Sequence, residues 1–341
     1  MSPVFDTLYP VKWIDGHLDL AYLALLGRDL TAPCPDPRQG SVSLPELRAA
    51  GVEIAFATIF TEPTDDAGDR PAVYAGIDDL DGAEAAGRLQ LEIYQRLEAD
   101  GELRFIRTRS DLEVVDAVVP GIVLLMEGAD PIRTPEEVPA WYDRGLRLVG
   151  LTWSMGTRYA GGNQRLGPLT PLGIELVQAL DECGIIHDAS HLSDEALDGL
   201  LEVARGPLVA THSNCRALVD QSQRHLRDDH VRAIAERDGV IGLNLFSKFL
   251  VPAGRASIGD CVAHIERLAE LMGHRRGVAL GTDMDGGFGP GDLPRGLDHP
   301  RTLDALAEAL RAAGWSDRDV EGFAYANWMR LLNRSLPAAR E

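Results

Sequence analysis

The sequence predicts a single (β/α)8 TIM-type barrel with C-terminal closing helices, from three observations. Eight short apolar runs recur along the chain, helical patterns stand between most of them, and no GxGxxG follows the first run. The runs are VKWIDGH (11–17), GVEIAFATIF (51–60), GIVLLMEG (121–128), LRLVGLTW (146–153), GIIHDASH (184–191), PLVATHS (207–213), GVIGLNLF (239–246) and GVALGTD (277–283). They are β-rich and almost continuously apolar, as strands buried on both faces are. Helical spacing marks 81–100, 170–183, 193–205, 228–239 and 258–273. Thr170 reads as a cap with Pro171 at the first helical position, and Ser193 as a second cap. In 341 residues this alternation fits one domain, 1–341, with strand 1 near 11–17 and strand 8 near 277–283. An open doubly wound sheet is the competing fold, and the missing glycine fingerprint counts against it.

Two segments break the alternation. Residues 61–79 and 286–300 are rich in Gly, Pro and Asp and read as long loops after strands 2 and 8, on the face where barrels keep their active sites. Residues 302–333 read as two closing helices.

A formal net charge of −20 argues against a nucleic-acid partner and against an anionic membrane surface. No secretory-type start and no membrane-length apolar run is seen. Cys34, Cys183, Cys215 and Cys261 lie far apart without a CxxC pair, which fits reduced thiols and a cytoplasmic location.

Titratable residues gather where the runs end. His17 and Asp19, two apart, should face the same way at the end of strand 1. Glu127, His191, His212 and Asp283 close strands 3, 5, 6 and 8. One such residue is usually a cap or a satisfied polar group. Six on one face would be very costly to bury without a metal. Three His, two Asp and one Glu suit Zn²⁺ or a similar divalent ion. Six groups exceed the needs of one tetrahedral ion, whereas two ions roughly 3.5–4 Å apart would use them. Lys12 and Lys248 are the chain's two lysines, and neither ends a strand, so Glu127 is the sensible bridge.

The motifs DGHLDL, LLMEGAD, HDASHLS, VATHSN and LGTDMDGG, with the tail GFAYANWMRLL, resemble those of the membrane (renal) dipeptidase family of the metal-dependent amidohydrolase superfamily. The resemblance runs over nearly the whole chain. It implies a barrel with two Zn²⁺ ions bridged by Glu127 and a hydroxide, His17 and Asp19 on one ion, His191 and His212 on the other. It implies Asp283 as the acid/base and Arg224, in QSQRHLRDD, as the residue binding the substrate's carboxylate through a bidentate fork. The implied substrate is a dipeptide with a free C-terminal carboxylate; a homodimer is a further expectation.

One position departs. The family carries a histidine after strand 4 that stabilises the carbonyl oxygen; here LTWSMGTRYAGG places Trp153 there. Losing one such donor typically costs about 3–4 kcal/mol of transition-state stabilisation. Arg158, Tyr159 or the indole N–H are candidate substitutes, and packing of the barrel mouth is the plain alternative. Hydrolysis of a different amide or lactam, and a non-catalytic metal-binding barrel, are therefore the competing functions. Asp285 reads as a loop residue or one standing behind the ligands, His187 as a histidine facing the barrel interior, in the core or behind the ligands, with a ligand role the lesser alternative, and His225, His230, His264, His274 and His299 as surface residues. Cys215 reads as a buried small residue.

Overall fold

The computed structural model describes residues 11–64 and 70–338. All eight apolar runs contain a strand. β1 (Trp13–Leu18), β2 (Val52–Phe60), β3 (Gly121–Glu127), β4 (Leu146–Gly150), β5 (Ile186–Asp188) and β6 (Leu208–Val209) pair in that order, all parallel. A short strand that the sequence did not signal, Arg104–Phe105, adds to the start of β3 and makes the sheet seven-stranded. β7 (Ile241–Leu243) and β8 (Val278–Leu280) form a second parallel pair. A bridge from Ala210 to Ile241 joins the two sheets. Beyond β8, the Thr282 N–H donates to the Asp15 carboxylate at 2.8 Å and the Asp283 N–H to the His17 carbonyl at 3.2 Å.

The expected helices form with their caps. The Thr170 hydroxyl accepts the Gly173 N–H ahead of helix Pro171–Cys183, which ends at Gly184 with φ 70°. The Ser193 hydroxyl accepts the Ala196 N–H ahead of Asp194–Val203. Helices Leu80–Ala99, Asp228–Glu236 and Ile258–Met272 fill the other expected spans. The 61–79 segment holds a short parallel pair, Glu62–Thr64 with Val73–Ala75; its residues 65–69 lie outside the described residues.

The apolar residues divide into two layers. One lies between sheet and helices and includes Trp13, Leu18, Ala55, Ala57, Leu124 and Met126. The other gathers Ile14, Ile54, Phe56, Val123, Leu125, Leu148, Ile186 and Val209 from the opposite strand faces. The last helix, Asn327–Ser335, supplies Trp328, Leu331 and Leu332 to this second layer. The Trp328 indole packs 4.8 Å from the Phe56 ring and donates to the Leu280 carbonyl at 2.8 Å. A Cβ on Gly16 would lie 2.8 Å from the Trp328 ring, so glycine is required there. Closing helices therefore form as expected, Leu303–Ala312 and the continuous run Asp317–Ser335, the latter widened by a π-turn at Gly322–Ala326.

Candidate metal centre at the strand ends

Strand parity alone does not explain how His17 reaches the site. Trp13 and Leu18, of opposite parity, both pack on the helix side. The register between β1 and β2 slips between Asp15 and Leu18, so that three steps on β1 match two on β2. This bulge at Gly16–His17 swings His17 onto the face that carries Ile14. Asp19 lies past the strand, at the N-cap position of helix Leu20–Leu25.

Glu127 ends β3 with the parity of Val123 and Leu125, and its two oxygens face different partners. Oε1 lies 3.1 Å from His191 Nε2 and 3.4 Å from His212 Nε2, while Oε2 lies 3.6 Å from His17 Nε2. His17 Nε2 is 3.8 Å from Asp19 Oδ1. One ligand atom each from His17, Glu127 and His212 falls within 4.8 Å of the others, as does one each from His17, Asp19 and Asp283. All six residues are buried. Glu127 Oε1 has no hydrogen-bond donor, and His191 and His212 turn ring nitrogens toward each other at 2.9 Å. An orphaned buried carboxylate oxygen facing imidazole nitrogens is what a metal ion would complete. These residues therefore fit a divalent metal pair.

Supporting groups orient the candidates. Asp188, of the same parity as Ile186, accepts the Ser190 and Thr211 N–H groups and the Thr211 hydroxyl. That hydroxyl sits 2.9 Å from His212 Nδ1 and 3.4 Å from His17 Nδ1. Asn163 Oδ1 lies 3.1 Å from His191 Nδ1, and the Thr58 hydroxyl donates to Asp19. Asn244 donates to Asp283 Oδ2 at 2.9 Å. A Cβ on Gly286 would come within 2.0 Å of Asp283 Oδ1. Asp188, inside HDASHLS, and Thr58 and Asn244, near the ends of the second and seventh runs, could have been marked by position; nothing in the pattern marks Asn163.

Burial shapes the charges before any ion enters. Burial raises the Asp283 carboxyl to about 8, against the pull of His17 and with help from Asp19 and Glu127. Burial pushes the His17 ring down, but Glu127, Asp19 and Asp283 outweigh it and raise the ring to about 10. His191 falls to about 4 through burial and the field of Arg224. Three residues at the site, His191, Asp283 and Asp285, adopt positive φ, 66°, 58° and 63°.

Arg224 is buried under His212. It donates to the Ser213 hydroxyl at 3.1 Å and the His212 carbonyl at 2.8 Å, and its guanidinium carbon lies 4.9 Å from the Phe249 ring. Its Nε has no acceptor among the described residues. Trp153 lines a cavity of about 340 Å³ over the centre, with Asp19, Glu127, His191, His212 and Asp283.

Several expectations need correction. Arg158 and Tyr159 do not face this cavity: Arg158 pairs with Asp130 at 3.4 Å, and the Tyr159 hydroxyl donates to the Ile132 carbonyl. His187 faces away from the interior and meets Asp181 of the neighbouring helix at 2.7 Å. His225, His230 and His264 are buried, not surface residues. His230 meets Asp198 at 2.8 Å, and His264 accepts the Cys215 N–H and donates to the Leu250 carbonyl. Partners for the ring nitrogens make that burial inexpensive for these two, and periodicity does not reveal partners. Asp285 needs no correction: it lies in the loop after β8, where it accepts from Arg28 and from the Ser41 and Val42 N–H groups at 2.8 and 2.9 Å.

Residues 6–340 match the family model Membrane dipeptidase (Peptidase family M19). An uncharacterized Klebsiella pneumoniae protein of the pqqA 5′ region is 33% identical over 259 residues, 71% of this chain and 93% of that one. Dipeptidase aclJ of Aspergillus oryzae is 30% identical over 56% of this chain, which spans 46% of that protein's length. A Rhodobacter sphaeroides metallo peptidase, liganded with a phosphinate mimic of L-Ala-D-Ala, superposes with a TM-score of 0.82 at 25% identity, over 96% of this chain and 100% of that one. No helix among the described residues is long and apolar enough to cross a membrane. The chain belongs to the membrane dipeptidase family, Peptidase family M19, and is a metal-dependent hydrolase of that family.

Proposed function

We propose that the chain is a zinc-dependent dipeptidase working as one domain, its strands closing into a (β/α)8 barrel around a two-ion centre. The carrying observation is Glu127, whose two oxygens face separate partner sets, His191 and His212 on one side and His17 on the other. His17 and Asp19 would hold one ion, His191 and His212 the other, and Glu127 both. Bound zinc supplies a Lewis acid and a water made acidic enough to attack near neutral pH.

The remaining work falls to the chain. Arg224 presents a buried guanidinium with an unfilled Nε, suited to the free carboxylate of the substrate. Asp283, held by Asn244 through one oxygen, keeps the other for the proton it takes from water and returns to the leaving amine. The cavity's apolar rings exclude bulk water.

A second reading, hydrolysis of a different amide or a lactam, is favoured by Trp153 alone. It occupies the cavity where the family places a histidine, and Arg158 and Tyr159 are committed elsewhere. Metal analysis with a screen of L,L and L,D dipeptides in added Zn²⁺ separates the readings. About two ions per chain with turnover supports the dipeptidase. Two ions without turnover turns the search to other amides, and no metal overturns the centre.

A further inference from the structure

Aromatic rings line the cavity on two sides. Tyr22, Phe60 and Trp153 make one wall, with centroids 5.4 and 5.3 Å apart and both contacts edge to face. Trp153 lies 5.9 Å from His191. Phe246, Phe249 and Phe288 make the other, with centroids 4.9 and 4.4 Å apart. All six are only partly buried, and four of the chain's eight phenylalanines stand in this one cavity. Rings left half-covered in a concave site lack apolar contacts that a ligand's side chain would supply.

Outside the proposed ligand set, three charged groups bear on the ligand's direction: Glu62 and Arg70 line the cavity, and Arg224 lies against Phe249. Arg224 adjoins Phe249, so a residue bearing a free carboxylate belongs on the Phe246–Phe249–Phe288 side. Glu62 follows Phe60 by two residues and lines the same cavity. Its carboxylate lies outside the proposed ligand set and suits a substrate ammonium. A dipeptide with its carboxylate at Arg224 and its ammonium toward Glu62 lays its N-terminal side chain along Tyr22, Phe60 and Trp153.

We infer that the enzyme selects dipeptides with an aromatic N-terminal residue, and that Trp153 and Phe60 determine this specificity. The inference rests on the dipeptidase reading for its substrate class. On this view the tryptophan at position 153 exchanges a polar contact to the substrate carbonyl for an apolar surface beside it.

The test compares Phe-Ala, Leu-Ala and Ala-Ala on the zinc-loaded protein. Phe-Ala is expected to exceed Ala-Ala in kcat/KM by about 30-fold, within the range that added apolar surface gives in a pocket. Trp153→Ala and Phe60→Ala should each shrink that ratio to a few-fold, whereas Phe246→Ala should leave it and alter Ala-Phe against Ala-Ala instead. Equal rates in the parent, or a ratio that neither wall variant changes, overturns the inference. Absence of turnover on every dipeptide counts against the dipeptidase reading, and binding then decides this one. Calorimetric titration of zinc-loaded Asp283→Asn should show Phe-Ala binding more tightly than Ala-Ala, with the advantage lost when Trp153→Ala is added. Equal binding, or none, overturns it.

Discussion

The two ends of the strands contrast sharply. At one end the interior is closed by Trp328, Leu331 and Leu332 against Phe56, Ile14 and Val209, all apolar. At the other, the same strands or the turns just past them deliver Glu127, His17, His191, His212 and Asp283, all titratable and buried. Three of the five non-glycine residues with positive φ among the described residues sit at this second end. Such backbone persists only where surrounding structure holds it, as Asn163 beside His191, Asn244 on Asp283 and the Ser41 and Val42 N–H groups on Asp285 do here. The contrast teaches a division of labour along each strand: its early residues set stability, and its last residue and the turn beyond set chemistry.

Substitutions at the two ends should therefore separate activity from stability. Asp283→Asn should lower kcat by about two to four decades while metal content and melting temperature stay near those of the parent; a parent-like rate would remove Asp283 from the mechanism. Trp328→Ala should cost about 3–5 kcal/mol in denaturant unfolding. Its kcat/KM per folded molecule should stay within about twofold, because the ring touches no candidate site residue. A large loss of kcat/KM there would break the division. Glu127→Ala should take metal content from about two ions per chain toward one or none, read by elemental analysis after dialysis; two tightly held ions would place the bridge elsewhere. Arg224→Ala should raise KM by about 30-fold with a smaller change in kcat, since it removes hydrogen bonds made to a charged group in both ground and transition states. A loss confined to kcat would move Arg224 from binding to chemistry.

Much of this was legible in the sequence. Every apolar run holds a strand, because burial on both faces leaves a composition that little else produces. The six candidate site residues converge, since a parallel sheet wound in one sense brings all its strand ends to one face. The route of His17 was not legible: pairing by parity assumes an unbroken strand, and the slip at Gly16–His17 shows only in the register of β1 against β2. Nor was the burial of His225, His230 and His264, which depends on what faces them across the fold. The aromatic walls were invisible for the same reason, as Phe60, Trp153 and Phe246 come from three separate strand ends.

The seal by Trp328 also bears on how the protein is made. All eight strands precede that residue, so a chain emerging from the ribosome presents its whole sheet before the stopper for the sheet's interior exists. Until residues 327–335 dock, the faces carrying Ile54, Val123 and Leu148 have only one another to hide behind. A chain lacking that helix is expected to leave these apolar faces open to self-association.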